Sequence, residues 1–441
     1  MKIFFASLGC DKNLVDAEGM LGYFLKAGYE FTEDEREADV IFVNTCCFIN
    51  DAKEESIQTI LDMAAWKEQG KCKVLAASGC LAQRYRDEIM EQIPELDGII
   101  GINDCEKAVE LVESLLQGAE HQNMVSSEEK PVHCTDRILT TGGHYAYLKI
   151  AEGCDKHCTY CIIPSVRGKY RSIPEEELIA QAEKLAEQGV KELILVAQET
   201  TLYGMDLYHE KRLPQLLKKL AGVSGIYWIR LLYCYPEEIT DELLETMASE
   251  PKICHYLDIP IQHGSDAVLK RMGRRTDQAS LKEKIAAIRK AMPDCALRTT
   301  LITGFPGETE EDHEINMDFV NEMAFDRLGV FTYSQEENTP AALMPDQIEE
   351  EVKQARYEEL MELQQDIAFE KSEAMVGREL IVMVEGKVAD ENAYVSRTYM
   401  DAPGVDGYLF IQTPEVLMTG DFARVRVTGA LDYDLIGELI S

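Results

Sequence analysis

Short apolar runs that alternate with amphipathic stretches are the feature that most constrains the fold of this chain. The apolar run at residues 2–8 is typical of a buried strand, and residues 13–27 carry apolar side chains at helical spacing until Gly28. Because such consecutive βα units favour a doubly wound parallel sheet, we predict one for residues 1–117. Its further predicted elements are strands 40–44, 73–77 and 98–101 and helices 52–66, 83–92 and 105–117.

A second alternation begins at Tyr145, after a polar segment, residues 118–143, that lacks periodicity and is predicted to be a linker. Six βα units favour an open or partial barrel in residues 144–370, with functional groups at the carboxyl ends of its strands. The predicted elements are strands 145–150, 192–197, 227–232, 256–260, 297–303 and 327–332, with helices such as 174–188 and 281–291 between them.

The C-terminal part of the chain changes its hydrophobic period. Residues 347–375 are rich in Glu and are predicted to form a charged helix, whereas after Gly377 the period becomes two. This pattern predicts a small OB-like antiparallel barrel in residues 371–441. Its five predicted strands are 379–388, 393–398, 407–412, 422–431 and 435–440.

Charge and cysteine content limit the classes of function. The chain of 441 residues has 44 Lys and Arg against 80 Asp and Glu, a net charge of −36 that argues against strong nucleic-acid binding and favours a basic protein partner. No apolar window approaches the roughly 18 residues of a membrane span. The chain has thirteen cysteines, an odd number, and the apolar stretch of its first residues, MKIFFASLGC, is too short for a convincing export signal. We therefore predict a cytoplasmic protein with metal-bound or catalytic thiols.

Three cysteines lie close together just after the first strand of the second alternation. Cys154, Cys158 and Cys161 form a C-x3-C-x2-C spacing within GCDKHCTYC. Three thiolates on one loop favour a cubane iron–sulfur cluster with one iron left open. Buried structural thiols and a zinc site are the alternatives, although zinc usually takes four ligands and His157 is an awkward fourth.

Three further cysteines each follow a predicted strand of the first sheet: Cys10 in SLGCDKN, Cys46 in VNTCCF and Cys80 in SGCLAQR. The carboxyl ends of strands in a doubly wound sheet converge at one crevice, so these thiols could meet in space despite their separation in sequence. On spacing alone, three buried structural cysteines explain the pattern equally well, and Cys47 could replace Cys46.

The loop motif, with Tyr160 before its last cysteine, resembles the radical S-adenosylmethionine (SAM) superfamily. The resemblance implies that the loop holds a 4Fe-4S cluster whose open iron binds SAM, and that one electron splits SAM into a 5′-deoxyadenosyl radical. With the N-terminal cysteines and the terminal barrel, the chain resembles the methylthiotransferases over nearly its whole length. Segments such as SLGCDKNLVDAE, RGKYRS, YLDIPIQHGSD and TTLITGFPGETEEDH are most similar to the RimO branch, which modifies ribosomal protein S-12.

The resemblance to methylthiotransferases implies roles for the remaining parts. Cys10, Cys46 and Cys80 would hold a second, auxiliary 4Fe-4S cluster that delivers sulfur, and the terminal barrel would be a substrate-recognising TRAM domain. The family has a small residue where this chain has Cys47, a departure that could interfere with cluster assembly. The implied reaction is methylthiolation at the β-carbon of an aspartate in S-12. One SAM supplies the methyl group, a second supplies the radical, and flavodoxin or ferredoxin supplies electrons.

The acidic charge of the terminal barrel agrees with S-12 as the partner. Residues 371–441 carry 12 acidic and 6 basic side chains, which suit a basic ribosomal protein better than RNA. The same chemistry on a tRNA adenosine is the first alternative function. A non-catalytic iron–sulfur or zinc scaffold that binds ribosomes is the second.

Weaker signals suggest contacts to SAM at the strand ends of the barrel. Gln198 and Glu199 follow the second predicted strand, and Gly304 in GFPGE follows the fifth. Arg298 on the fifth strand could pair with the carboxylate of SAM, although a structural ion pair explains it equally well. For the others, an ordinary βα turn is the alternative.

A single histidine and two basic islands complete the candidates. His263 in PIQHGSD could line the cavity or only cap a turn. The islands at residues 167–171 and 270–275 could contact ribosomal RNA or the target aspartate, but a solvated surface is the slightly favoured interpretation. No catalytic acid or base is identified from the sequence.

Overall fold

The structure, a computed structural model, describes residues 1–126, 129–389 and 391–440. Ser127 and Glu128 of the predicted linker, and Asp390 and Ser441 of the predicted C-terminal barrel, lie outside the described residues. Two compact units interleave along the chain. The first comprises Met1–Thr140, Ala151–Pro174 and Ser334–Thr339, and the second comprises Thr141–Ile150, Glu175–Tyr333 and Pro340–Ser441.

The strands lie close to the predicted positions, with short additional ones. They are β1 Lys2–Ser7, β2 Glu30–Phe31, β3 Val40–Thr45, β4 Val74–Ser78, β5 Gly98–Ile100, β6 Gln122–Met124, β7 Tyr145–Lys149, β8 Ala151–Glu152, β9 Arg171–Ser172, β10 Glu192–Val196, β11 Trp228–Leu231, β12 Ile253–Asp258, β13 Ala296–Thr303, β14 Arg327–Thr332, β15 Glu379–Lys387, β16 Ala393–Thr398, β17 Leu409–Gln412, β18 Phe422–Leu431 and β19 Asp434–Leu439.

The helices connect most consecutive parallel strands. They are α1 Asp11–Lys26, α2 Asn50–Ala64, α3 Trp66–Gln69, α4 Gly79–Tyr85, α5 Asp87–Gln92, α6 Ala108–Leu116, α7 Ile163–Arg167, α8 Glu175–Glu187, α9 Met205–Tyr208, α10 Leu213–Ala221, α11 Asp241–Ser249, α12 Asp266–Arg271, α13 Gln278–Ala291, α14 Glu310–Met323 and α15 Glu350–Glu373. Short 3-10 turns lie at Glu35–Glu37, Cys105–Lys107, Pro236–Glu238 and Pro340–Leu343.

The first unit is built on a six-stranded parallel sheet with the order β2-β1-β3-β4-β5-β6. Every residue of β3 and β4 is buried, because helices cover both faces of a parallel sheet and its central strands have no solvent-facing side. The arrangement confirms the predicted doubly wound sheet. Apolar side chains of α1 and α6 form one core cluster with β3, whereas α2 and α4 contribute to the other.

Three details of the first unit differ from the predicted elements. The stretch predicted as one helix, residues 83–92, is divided into α4 and α5 at Arg86, whose φ of 46° cannot continue a right-handed helix. Strand β6 lies within the predicted linker and pairs with β5 at the edge of the sheet. Strands β8 and β9 form a two-stranded antiparallel pair that begins and ends the segment around the cysteine loop.

The second unit contains the other parallel sheet, with the order β14-β13-β12-β11-β10-β7, which is the open arrangement predicted for a partial barrel. All of β10 and β11 is buried. Strand β12 starts before the predicted residue 256, because Ile253 and Cys254 are also buried in the sheet.

The terminal strands of the second unit close into a five-stranded barrel, β15-β16-β17-β19-β18, as the change of period predicted. A buried ion network joins this barrel to the parallel sheet. Glu192 of β10 accepts hydrogen bonds from Arg230 Nε at 2.7 Å and from Arg397 Nη2 at 2.8 Å, and all three side chains are fully buried. Both guanidinium groups would lose their shared counter-charge without Glu192, so the network fixes the position of the barrel.

In the part of the chain that the structure describes, no helix combines the length and apolar character needed to cross a membrane.

Candidate functional site

The cysteine loop of residues 154–161 lies in the first unit, between β8 and α7. Gly153 turns the chain into the loop with φ +80°, and a Cβ there would lie 2.1 Å from the Lys169 carbonyl oxygen. The Cys154 amide donates to the Gly168 carbonyl at 3.1 Å, and the Cys161 amide donates to the Cys158 carbonyl at 3.1 Å. Backbone hydrogen bonds therefore fix the start of the loop against Gly168 and form a turn at its end.

Strand register brings together the other three cysteines. Ser7 of β1 pairs with Asn44 of β3, and Asn44 pairs with Ser78 of β4, so the three neighbouring strands end at the same level. Cys10, Cys46 and Cys80 follow these ends within a few residues. Their thiols are close enough for the charge on one to raise the pKa of another, as Cys10 does for both Cys46 and Cys80. The proximity predicted from the parallel sheet is present.

Buried polar contacts hold the dispersed cysteines in place. Asn13 of α1 donates from Nδ2 to the Leu8 carbonyl at 2.6 Å and to the Thr45 carbonyl at 3.1 Å, which ties the chain on both sides of Cys10 and Cys46. Ser56 Oγ accepts from the Cys46 amide at 2.9 Å and donates to the Cys46 carbonyl at the same distance. These satisfied bonds preorganise the segments that carry Cys10 and Cys46.

Arg167, at the end of α7, is buried beside these thiols with 1% of its surface exposed. Its Nη1 donates to both carboxylate oxygens of Glu152 at 2.9 and 3.0 Å and to Asp16 Oδ2 at 3.3 Å. Its Nη2 donates to Asn13 Oδ1 and to Cys80 Sγ, each at 3.3 Å. The solvated surface favoured for the island at residues 167–171 is therefore wrong for Arg167, whose charge is turned inward to carboxylates and a thiol.

Cys80 of the dispersed triad and Cys161 of the loop resist ionisation in the bare protein. Burial raises the pKa of Cys80 to about 11, against the opposing effect of Arg167, and raises the pKa of Cys161 to about 12. Thiols of this kind stay protonated near neutral pH until a metal displaces the protons. As a donor set, two sets of three thiols suit iron–sulfur clusters. Among the described residues, no group of three or more His, Cys, Asp or Glu side chains is placed closely enough to hold a metal ion in this structure.

The two adjacent cysteines of VNTCCF have different surroundings. Cys47 is 1% exposed and packs in the apolar core cluster that includes Ile60, Leu75 and Leu81. Burial raises the pKa of its thiol to about 12. Cys80 belongs to the same cluster, so packing there does not by itself exclude a ligand. Cys46 lies close enough to both Cys10 and Cys80 for their charges to interact, and this proximity favours Cys46 over Cys47 as the ligand.

The proposed SAM contacts of the barrel lie in the second unit, whereas Tyr160 lies half-buried in the first. Gln198 and Glu199 follow the end of β10, as predicted, and Glu199 is fully buried. Thr200 anchors the turn by donating from Oγ1 to the Leu232 carbonyl at 2.8 Å, and Thr201 Oγ1 donates to Glu199.

Gly304 and Arg298 lie at opposite ends of β13. Gly304 follows the carboxyl end, where a Cβ would lie 2.2 Å from Lys353 Cγ, so the close approach that the glycine allows is made by a lysine of α15. Arg298 lies near the start of the strand and donates to Asp258 at 3.0 Å, with Asp406 at 3.5 Å. The structure does not bring Arg298 to the strand ends that carry Gln198, Glu199 and Gly304.

His263 is internal, whereas the second basic island is mostly exposed, with Lys270, Arg271 and Arg275 exposed and Arg274 buried. His263 is fully buried, and its Nδ1 accepts from the Ser265 amide at 2.9 Å, which is the turn-capping role. Arg274 of the island at residues 270–275 is buried, donates to Glu237 at 3.3 Å and lies 4.3 Å from the centre of the Tyr235 ring. A solvated surface therefore describes only part of this island.

Sequence reasoning missed the inward-facing role of Arg167. The segment RGKYRS was noticed for its charge, but a run of basic residues alone does not show which side chain is buried. The signal that could have found it is the short distance in sequence between Arg167 and Cys161, since a helix this short leaves its last residue close to the loop.

Three family models match the chain: "Uncharacterized protein family UPF0004" at residues 2–101, "Radical SAM superfamily" at residues 148–320 and "TRAM domain" at residues 376–440. The last two confirm that the chain contains a radical SAM domain and a TRAM domain. Each match falls on a different sheet or barrel of the structure.

Curated relatives match over the full length. A protein of Lachnoclostridium phytofermentans named ribosomal protein uS12 methylthiotransferase RimO is 60% identical over 437 residues, 99% of each chain. A protein of the same name from Pelotomaculum thermopropionicum is 50% identical over 100% of this chain and 99% of the relative. Among solved structures, the radical S-adenosylmethionine methyltransferase TsrM from Kitasatospora setae matches with a TM-score of 0.57 over 78% of this chain and 74% of that chain. At 13% identity, this is a likeness of fold.

Proposed function

The chain belongs to the RimO family of radical SAM methylthiotransferases, and on that premise we propose that it adds a methylthio group to the β-carbon of an aspartate in ribosomal protein S-12. The observation that carries the proposal is 60% identity over 99% of both chains to a relative that bears the name of this activity. Identity at this level over the full length leaves no domain of the relative unmatched.

The contacts within the first unit support a two-cluster arrangement. Cys154, Cys158 and Cys161 share one loop, and their spacing leaves one position of a cubane cluster without a protein ligand. We assign the other triad, held by strand register, to the auxiliary cluster. When bound, the clusters and SAM supply the one-electron cleavage that yields a radical able to take hydrogen from an unactivated carbon.

The chain's own residues position and shield this chemistry. Asn13 and Ser56 fix the dispersed cysteines, Arg167 places a positive charge beside Cys80, and Cys46 and Cys80 are each only 7% exposed. Exclusion of water strengthens the electrostatic contacts and protects reactive groups from side reactions.

Tyr160, Gln198, Glu199 and Gly304 are the proposed SAM contacts. The burial of Glu199 and the position of Gln198, Glu199 and Gly304 at carboxyl ends of parallel strands support this proposal, because ligands in such folds bind at those ends. Arg298 is a weaker candidate, because its guanidinium is engaged by Asp258 and lies near the other end of β13.

The proposed partners follow from charge and chemistry. A basic ribosomal protein suits a chain with a net charge of −36, which opposes strong binding to a polyanion. The proposed reaction also needs low-potential electrons, for which a small flavodoxin or ferredoxin is the proposed donor.

An anaerobic assay with two competing substrates tests the proposal. The protein is reconstituted with iron and sulfide, given SAM and a reductant, and offered an S-12 peptide and an anticodon-loop RNA together. Mass spectrometry then locates the methylthio increment. Cys105→Ala is the matched cysteine control, because Cys105 lies outside both triads and its thiol donates to the Ile102 carbonyl.

An increment on the aspartate of the peptide in the wild type and the Cys105→Ala variant supports the proposal. An increment on the RNA alone would overturn the substrate and assign the chain to tRNA modification. Formation of 5′-deoxyadenosine without either product would reject both substrates, and a protein that binds iron but does not cleave SAM would be a scaffold.

A further inference from the structure

Arg167 contacts the dispersed triad directly, although nothing in the reaction outlined above requires it. The two terminal nitrogens of its guanidinium, Nη1 and Nη2, have different partners. Nη1 is taken by the carboxylates of Glu152 and Asp16, whereas Nη2 donates to Asn13 Oδ1 and to Cys80 Sγ. One nitrogen is thus held by a counter-charge and the other is aimed at sulfur.

Arg167 keeps its charge in this buried position. Burial opposes the charged form, but the carboxylates of Glu152 and Asp16 both accept hydrogen bonds from Nη1 and offset the cost of burying the charge. Arginine is the side chain suited to this place, since it stays protonated and donates several hydrogen bonds from one rigid plane.

The same residue belongs to the segment that carries the other triad. Arg167 ends α7, which follows Cys161, and its carboxylate partner Glu152 lies on β8, just before Cys154. The Glu152–Arg167 pair therefore closes the base of the cysteine loop, and the free side of the guanidinium reaches the thiol of the dispersed triad. All of these residues lie within the first compact unit.

We propose that Arg167 is a positioning residue that tunes the auxiliary cluster through an N–H···S hydrogen bond to the Cys80 thiolate. A reduced cluster carries one more negative charge than an oxidised one, so a charged donor to its sulfur stabilises the reduced form more. Hydrogen bonds to ligand sulfurs are among the established controls of cluster potential. Loss of the bond should make the auxiliary cluster harder to reduce.

The inference rests on the proposed function, in that it requires a cluster at Cys80. The experiment uses the full chain with Cys154, Cys158 and Cys161 all changed to Ala, so that only the dispersed triad can hold iron. Arg167→Leu, Arg167→Lys and the control Arg171→Leu are made in this background. Arg171 lies in the same basic island but donates to the carbonyls of Lys130 and Arg167 and to Asn103, not to sulfur.

The readout is the ratio of reduced to oxidised cluster at a fixed ambient potential, measured by electron paramagnetic resonance together with iron content. We expect Arg167→Leu to lower this ratio about tenfold, which is a shift of about 59 mV for a one-electron couple. Arg167→Lys, which keeps the charge but not the fork, should fall between Arg167→Leu and the parent. Arg171→Leu should match the parent.

The outcomes separate the two proposals. A parent that binds no iron would overturn the auxiliary cluster and the inference together. A parent that binds iron, with the same ratio in Arg167→Leu or an equal fall in Arg171→Leu, would overturn the inference alone. If Arg167→Leu fails to hold iron, the Arg167→Lys variant decides the question. A ratio of reduced to oxidised cluster below that of the parent supports the inference, and an unchanged ratio overturns the inference. Loss of iron from both Arg167 variants, but not from Arg171→Leu, would show that Arg167 is needed to hold the cluster and would also overturn the inference.

Discussion

The two cysteine triads of the first unit are assembled in different ways. Cys154, Cys158 and Cys161 come from one loop, and hydrogen bonds of that loop and its immediate neighbours hold it closed. The other triad comes from three separate strand ends, and its geometry depends on the register of β1, β3 and β4 and on side chains such as Asn13. The first triad is local, whereas the second exists only when the sheet has formed.

The two triads should therefore be sensitive to substitutions in different parts of the fold. A local loop tolerates changes elsewhere in the fold, because its ligand spacing is set by a few adjacent residues. In a site built from distant strand ends, the position of each thiol depends on the strand that precedes it. A substitution in the sheet can therefore displace a thiol without changing any cysteine.

Removal of one proposed cluster ligand from each triad should separate the roles of the two triads most strongly. We expect Cys154→Ala to lower both 5′-deoxyadenosine formation and methylthiolation by at least about 100-fold, because it removes a direct ligand, a larger loss than that of an outer partner. Cys80→Ala should lower methylthiolation to a similar degree but retain SAM cleavage. Both products are measured in one anaerobic reaction by mass spectrometry. Equal loss of SAM cleavage in the two variants would contradict the division of roles.

A substitution of Gly79, next to Cys80, tests whether the dispersed triad depends on the geometry of the sheet. Gly79 precedes Cys80 with φ +90°, and a Cβ there would lie 2.2 Å from the Thr45 carbonyl oxygen. We expect Gly79→Ala to lower the free energy of unfolding of the apoprotein by about 3 kcal/mol, since backbone strain and a steric clash add. Urea denaturation gives this value, and iron analysis should show loss of iron from the dispersed triad only.

Gly28→Ala is the matched control for backbone strain. Gly28 has φ +85°, but a Cβ there would meet nothing within 4 Å, so only the unfavourable backbone conformation remains. That conformation should cost about 1–2 kcal/mol. A similar loss of stability in both glycine variants, with full iron content in each, would show that the contact with Thr45 does not control the position of Cys80.

Cys47 should give the smallest effect. Because its side chain lies in the apolar core, Cys47→Ala should lower the free energy of unfolding by about 1 kcal/mol and leave iron content unchanged. Cys46→Ala should lose the iron of the dispersed triad. The two variants are compared by urea denaturation and by iron analysis after reconstitution. A loss of iron in Cys47→Ala that equals the loss in Cys46→Ala would place Cys47 among the ligands.

Much of this fold follows from the sequence, because hydrophobic period is a local property. The apolar runs of β1, β3 and β4, the second alternation and the change to a period of two each predicted an element that the structure contains. The break at Arg86 and the edge strand β6 were missed, because a single positive φ and a strand of three partly or fully exposed residues leave little trace in hydrophobicity.

The C-x3-C-x2-C spacing alone was enough to single out the three cysteines of the loop, since no other part of the chain is needed to recognise it. The packed fold was needed to show that Cys46 lies near Cys10 and Cys80, and that Arg167 points inward to Cys80 rather than outward to solvent. The physical reason is that adjacent side chains of an extended chain point to opposite sides, and only the packed sheet decides which side is core. A basic side chain is likewise buried only where carboxylates neutralise its charge, and the carboxylate of Asp16, which does this for Arg167, is distant in sequence.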